Sequence, residues 1–302
     1  MNKKIKKTQS QAVKDRRLGL LLMIPVVIVV FIIMGLPFIR AIYWSFTDKV
    51  IGAEANFIGF DNYIKLFSDK IYWKSLTNTL VYTVVCIVAK LLIGLLWAVL
   101  LNQNFKGRGF FRALVFVPWA MSGVLTAVLF SLIYNQNYGV LNDLLMNIGL
   151  IKEPVAWLGN QHIVLGSVIV AELWRGIPFF AISLLAAMQG LSQDVYEAAK
   201  VDGATKWQSF RFVTLPLLKD TIVLTTLLRT IWEFNSVDLI FSLTNGGPVG
   251  KTTTLSVLIA NQALTTNNYG YGSAISVVSF VILAVIAVIY MKVSGFAKGS
   301  DS

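Results

Sequence analysis

The residues best placed to do chemistry are ionisable side chains set inside long apolar runs. Glu172 and Arg175 stand three apart, Arg229 and Glu233 stand four apart, Asp238 follows shortly after, and Lys90 is alone in its own run. Spacings of three and four put each pair on one face of a helix, where carboxylate and guanidinium can meet. A charge at membrane depth costs roughly 2.5–3.5 kcal/mol on insertion scales, so such groups pair or face a cavity. Two readings fit: internal salt bridges that only neutralise themselves, or a polar pocket for a hydroxyl-rich ligand. Glu172, Gly176 and Phe179 share one face at i, i+4 and i+7. A carboxylate, a gap and an aromatic ring suit a sugar, which carries hydroxyls at its edge and an apolar face. Arg229 suits a phosphorylated or acidic ligand. Lys90 has no partner close in sequence; pairing with Glu172 or Asp238 across helices and snorkelling to the interface both stay open.

Other chemistry is sparse. Cys86 is the one cysteine and His162 the one histidine, so no intrachain disulfide forms and no metal-ligand cluster is spaced for zinc. A membrane-embedded enzyme would lack the usual nucleophile, acid–base pair or metal. The run Asn245-Gly-Gly-Pro-Val-Gly-Lys-Thr252 imitates a phosphate-binding loop but puts Asn245 where the first glycine belongs. Pro248 also removes a backbone donor that such a cradle uses. No nucleotide site is expected in this chain.

The elements that must carry these residues are transmembrane helices. Hydrophobic residues make up 56% of the 302 and charged residues 14%, against roughly 25% charged in soluble domains. Six runs reach the roughly 20 apolar residues that a spanning helix needs: about 18–40, 77–102, 112–135, 163–189, 216–242 and 272–292. The expected fold is therefore an all-α integral membrane protein of about six transmembrane helices. The first run is too long for a signal peptide and no small-residue cleavage site follows it. The net charge of +11 is explained by Lys and Arg at the ends of the runs. Counted over alternate loops, sixteen fall on the side of the N-terminus and six on the other, which places both termini in the cytoplasm. No basic stripe interleaved with stacking aromatics is present, so nucleic acid is not an expected partner. Three parts result: a basic tail at 1–17, a transmembrane domain at 18–295 and a short tail at 296–302. The loop at 47–76, with Phe57, Phe60, Tyr63 and Phe67, reads as a surface amphipathic helix or as an ordinary folded loop.

The cytoplasmic stretch Leu191–Leu218 is the most structured of the connections. Ser192 is a good N-cap, Asp194 favours the first turn, and Leu191 with Tyr196 has the spacing of a hydrophobic staple. A helix should run to about Asp202 and end at Gly203. Thr205 and Gln208 form a capping box for a second short helix, with Trp207 and Phe210 on its apolar side. Pro216 then opens the fifth span. The product is a rigid, polar two-helix knob rather than a floppy connector.

Glu197-Ala-Ala-Lys-Val-Asp-Gly-Ala204, followed by Trp207, Phe210 and Leu215-Pro216, resembles the EAA loop of ABC-importer membrane subunits, specifically the sugar-type permeases related to the maltose and glycerol-phosphate import systems. Asn78-Thr79-Leu80, Pro118-Trp119-Ala120, Gly139-Val-Leu-Asn142 and Leu243-Thr-Asn-Gly-Gly-Pro248 extend the resemblance in the same order over about two-thirds of the chain. It implies a permease subunit of a binding-protein-dependent importer in the bacterial cytoplasmic (inner) membrane, forming half of a carbohydrate path. Its implied partners are a second homologous permease, two ATPase subunits that use ATP and magnesium, and an extracytoplasmic solute-binding protein. This chain would hold no cofactor. The resemblance assigns ATPase coupling to Glu197, Ala198, Ala199, Asp202, Gly203 and Ala204, and the substrate pathway to Glu172, Gly176, Phe179, Arg229 and Glu233. An ion-coupled secondary transporter that uses the buried carboxylates is the alternative.

Overall fold

The computed structural model describes residues 18–295; the tails expected at 1–17 and 296–302 lie outside the described residues. Within them the chain is almost wholly helical. The elements are α1 (Leu18–Trp44), α2 (Asp61–Ser68), α3 (Lys70–Asn102), α4 (Arg108–Ala120), α5 (Gly123–Ile133), α6 (Val140–Asn147) and α7 (Val164–Gln189). There follow α8 (Gln193–Val201), α9 (Lys206–Ser209), α10 (Lys219–Phe234), α11 (Asp238–Thr244), α12 (Leu255–Leu264) and α13 (Tyr269–Ser294). Isolated bridges, Thr47 with Phe57 and Val50 with Asn268, are the only β pairing among the described residues.

Among the described residues four helices, α1, α3, α7 and α13, are long and apolar enough to cross a membrane, and the bent pair α4–α5 makes a fifth span if counted as one. Two of the six expected spans differ from their predicted form. The run at 112–135 is broken after Ala120 and turns by 96°. Pro118 cannot donate to a helical ladder, and Ser122 starts a new helix by accepting the Leu125 N–H at 3.2 Å. The run at 216–242 is split as well. Helix α10 stops at Phe234, Asn235 turns its amide back to the Ile231 carbonyl at 2.8 Å, and α11 begins at Asp238. Ser256 takes up the freed Phe234 carbonyl at 3.0 Å. Hydropathy ran through both breaks because the residues beyond them are as apolar as those before.

Proline shapes two further places by a shared device. Leu36 donates to Phe31 and Leu215 to Phe210, five residues back, and a proline follows each donor directly. The widened π turn gives room to a ring that would crowd the carbonyl four residues earlier.

Helix α7 is the centre of the molecule: 61% of its apolar window is buried in the chain, against none of the corresponding window of α1. Its most extensive contact is with α3. A side chain at Gly94 would put Cβ 2.5 Å from Phe180 Cβ and 3.1 Å from the Ala181 backbone nitrogen, so the two helices approach at glycine contact. The second halves of the broken spans, α5 and α11, pack on each other, and α13 packs on α10, α12 and the C-terminal part of α1. The loop at 47–76 does form a short helix, α2, which is held on the protein: Asn62 Nδ2 donates to the carbonyls of Ser45 (3.0 Å) and Thr47 (2.8 Å), and Leu66 is buried.

Sequence motifs far apart in the chain meet at the end of α3 remote from the α8–α9 loop. Asn78 Nδ2 donates to the carbonyls of Gly250 (3.1 Å) and Thr253 (2.9 Å), and Thr79 Oγ1 accepts the Leu255 N–H at 2.8 Å. The glycine-rich turn at 245–252 thus spends its carbonyls on the protein's own donors. Asn142 does the same for the turn before α7, accepting from the Val155 N–H (3.1 Å) and Trp157 Nε1 (2.9 Å).

Gly94→Val should test the α3–α7 contact. Its side chain meets backbone that cannot yield, and a loss of about 1–3 kcal/mol is expected from overpacking. A thermal-unfolding midpoint in detergent that drops relative to Gly166→Val, where a side chain meets open space, would confirm it. Equal midpoints would contradict it.

Candidate functional site

All six ionisable residues singled out within the apolar runs converge on one cluster. Lys90 projects from α3 and is fully buried; its ammonium donates to Glu172 Oε1 on α7 at 2.7 Å and to Glu233 Oε1 on α10. The expected pairing of Lys90 with Glu172 is present, while Asp238, the other candidate, goes to a different cation. Arg175 gives Nε (3.0 Å) and Nη2 (2.8 Å) to Glu172 Oε2, and its Nη1 lies 3.6 Å from Asp238 Oδ2. Arg229 donates through Nη2 to Glu233 Oε1 at 2.6 Å and lies 3.5 Å from Glu172 Oε1. Both helical pairs predicted from spacing therefore form, and Lys90 joins them across three helices.

The cluster holds three cations and three carboxylates, so it is neutral as a whole. Neutrality and dense hydrogen bonding are what make ionised groups tolerable where water is scarce. Burial is graded: Lys90, Glu172, Arg229 and Glu233 are sealed, whereas the Arg175 and Asp238 side chains are 21% and 43% exposed. Three positions lack side chains to make room. A Cβ on Gly176 would fall 2.3 Å from Lys90 Cε and 2.8 Å from Arg229 Nη2. The gap read at Gly176 is thus filled by Lys90. At Gly123 a Cβ would fall 1.9 Å from Asp238 Oδ2, beside the start of α5. Gly94 lies one turn from Lys90 and sets the α3–α7 approach already described.

Next to the sealed charges lies an aromatic face. The Phe179 ring is 5.4 Å from the Arg229 guanidinium, 5.5 Å from Trp232 and 6.4 Å from Trp119. Arg229 also sits 5.5 Å from the Trp232 ring, so the guanidinium is covered on its open side by π faces. Trp119, Trp232 and Asn235 are exposed at the two helix breaks. Irregular backbone at membrane depth is tolerated only where protein or a water-filled cavity satisfies it. Several buried polar atoms here have no partner among the described residues: Tyr82 Oη, Thr226 Oγ1, Arg229 Nε and Glu233 Oε2. These atoms are enclosed, so what the face itself presents is aromatic rings with the Asn235 amide at the break.

Of the residues read as a pathway, Phe179 is half-buried on this face, while Glu172, Gly176, Arg229 and Glu233 lie behind it. Sequence reasoning missed Trp232 and Asn235, and it named Trp119 only as part of a motif. Their signal was a tryptophan or an asparagine within three residues of a proline or a buried charge.

The caps of the α8–α9 loop are those predicted, but its second helix is not a separate short one: helical backbone continues from Lys206 through the π turn Phe210–Thr214 and Leu215–Leu217 towards α10, so Pro216 lies within it. Ser192 Oγ accepts the Asp194 N–H at 3.3 Å, and α8 ends at Val201 with Gly203 at φ +77°. The Thr205–Gln208 capping box is reciprocal, with bonds of 2.8 and 3.3 Å. Tyr196 ties α8 to the following turn through Thr214 Oγ1 at 3.1 Å. Glu197, Ala198, Asp202 and Gly203 are exposed, Ala204 is half-buried, and Ala199 is buried against the loop. Trp207 and Phe210 stack 5.7 Å apart.

Lys90→Met removes the cation shared by two sealed carboxylates and should cost about 3–5 kcal/mol of stability. Adding Glu233→Gln restores charge balance and should recover a large part of that loss in detergent thermal unfolding. Additive losses would contradict the shared-cation geometry.

Residues 90–295 match the family described as binding-protein-dependent transport system inner membrane component. The chain is 36% identical to the trehalose/maltose transport system permease protein MalF of Thermococcus litoralis, over 94% of this chain and 96% of that protein. It is 34% identical to the sulfoquinovosyl glycerol transport system permease protein SmoG of Agrobacterium fabrum, over 92% and 91%. Among solved structures, a bacterial ABC transporter involved in import of the acidic polysaccharide alginate has a chain of the same fold: TM-score 0.82, 25% identity, covering 94% of this chain and 97% of that one. With the family match covering most of its length, the chain is a membrane-spanning permease of the binding-protein-dependent transport system inner membrane component family.

Proposed function

We propose that this permease forms one half of a carbohydrate path through a cytoplasmic (inner) membrane and couples it to ATP hydrolysis on separate subunits. The observation that carries the coupling role is the capped α8–α9 knob, which presents Glu197 and Asp202 to solvent on a rigid base. Six passes, through α1, α3, α4–α5, α7, α10–α11 and α13, fit the sixteen-to-six asymmetry of Lys and Arg. That asymmetry supports cytoplasmic termini and a cytoplasmic knob. In this reading Glu197 makes the polar contact with an ATPase subunit, Ala198 permits close approach, and Gly203 with Ala204 sets the turn that transmits its motion. Two ATPase subunits consuming ATP and magnesium, a second homologous permease and an extracytoplasmic solute-binding protein complete the assembly. The neighbouring alginate system, whose structure includes a periplasmic protein bound to an alginate pentasaccharide, supports the last of these.

For the path, Phe179, Trp119 and Trp232 supply stacking faces, the exposed Asn235 supplies a polar group at the adjoining break, and Arg229 and Glu233 brace them from behind. Glu172 and Gly176 support this face from behind by seating Lys90. The sugars named for the relatives favour a carbohydrate. An ion-coupled carrier needs a carboxylate free to exchange its ion; here Glu172 and Glu233 are each held by Lys90 and an arginine.

Gly203→Val should insert into the membrane normally yet lose ATP-driven uptake. A branched residue in the left-handed region is strained by at least about 1–2 kcal/mol, and open space around Gly203 leaves that strain as the only insult. Uptake in proteoliposomes of the full complex, scored against the amount of inserted permease, checks this. Wild-type uptake per inserted chain would sink the coupling role.

A further inference from the structure

A cleft between α3 and the α8–α9 loop takes no part in the proposed path and is separate from the Glu197 side of the knob, though Ala204 and the exposed Lys200, Lys206 and Trp207 line it. It encloses about 720 Å³. Leu92, Leu96 and Val99 form one wall as a stripe at i, i+4 and i+7, turned away from the α7-facing side that carries Gly94. Leu92 and Leu96 are exposed on this chain. The loop supplies the other end: the exposed Trp207, Lys200 and Lys206. Among the described residues no Asp or Glu lines the cleft, and its polar end carries two cations.

An apolar trough leading to a cationic, tryptophan-bearing end at the membrane surface has the chemistry of a phospholipid turned inside out. Basic pockets between helices on the cytoplasmic side favour anionic head groups, and tryptophan favours the interfacial level. We propose that this cleft binds one anionic phospholipid of the cytoplasmic leaflet, its acyl chain along Leu92, Leu96 and Val99 and its phosphate facing Lys200 and Lys206. The lipid would then bridge a spanning helix and the coupling loop. The leaflet assignment rests on the orientation proposed above, and impermeant labelling of a Val201→Cys chain tests that orientation separately.

The test uses the intact complex in nanodiscs that contain a minor fraction of dibromo-phosphatidylglycerol or dibromo-phosphatidylcholine. Trp207 emission is isolated as the difference between the wild-type complex and one carrying Trp207→Phe. Quenching should favour the glycerol lipid by about thirtyfold in apparent affinity, the scale set by two lysines near an anionic head group. Lys200→Glu with Lys206→Glu should abolish that preference, and both sites are exposed so that folding is spared. Equal quenching by the two lipids, a preference that survives the double substitution, or no quenching by either would each overturn the proposal. The last result would mean that protein, such as a helix of the second permease, fills the cleft.

Discussion

Lys90 sits between two carboxylates that would otherwise repel each other in a place with little water, and the arrangement of the central helices follows from that. One ammonium reaches α7 and α10 at once only if α3 runs close to both. The closeness is supplied by Gly94 against Phe180 and by Gly176 under the Lys90 side chain. Arg175 then satisfies the second oxygen of Glu172 from the same helix, and Arg229 shares Glu233 Oε1 with Lys90. A buried ion pair of this kind is weak as a source of net stability but strict as a specification of geometry, because breaking it leaves an uncompensated charge. The cluster therefore acts less as a ligand than as the frame on which a lining can be built.

The lining comes from two failures of helix continuity. Pro118 with Ser122, and Asn235 before Asp238, end one helix and start another at the depth of the charged cluster. Their second halves, α5 and α11, pack together, and Asp238 lies against Gly123 where the breaks meet. Broken helices at membrane depth gather substrate sites in transport proteins because their free backbone groups need a polar lumen. Here Trp119 and Trp232 flank the breaks and Phe179 joins them from α7. Sealed charges behind and aromatic rings in front give a wall that is stiff, neutral and capable of stacking.

How much of this could be read from the sequence depended on range. The α8–α9 loop was legible almost cap by cap, since caps, capping boxes and left-handed glycines act within a few positions; Ser192, Gly203 and the Thr205–Gln208 box all behave as their spacing predicts. The pairs Glu172–Arg175 and Arg229–Glu233 were legible for the same reason. Lys90 was not, because its partners lie 82 and 143 residues away, and only packing decides between them. The helix breaks were written in Pro118, Ser122 and Asn235, but a continuous apolar signal masked them. Gly176 was read as an opening when it is clearance for a lysine from another helix, a distinction that a single strand of sequence does not carry.

The most direct test of the central claim, that the path runs along the breaks in front of the charged cluster, is cysteine accessibility. Cys86 is buried and needs no replacement. Trp232→Cys and Asn235→Cys, each in the complete complex in proteoliposomes, should react with a hydrophilic thiol reagent, and the transported sugar should slow that reaction. Val84→Cys, exposed on the outer flank of α3, should stay unreactive in lipid. Reaction at position 235 that is no faster than at position 84, or that sugar leaves unchanged at both 232 and 235, would place the path elsewhere.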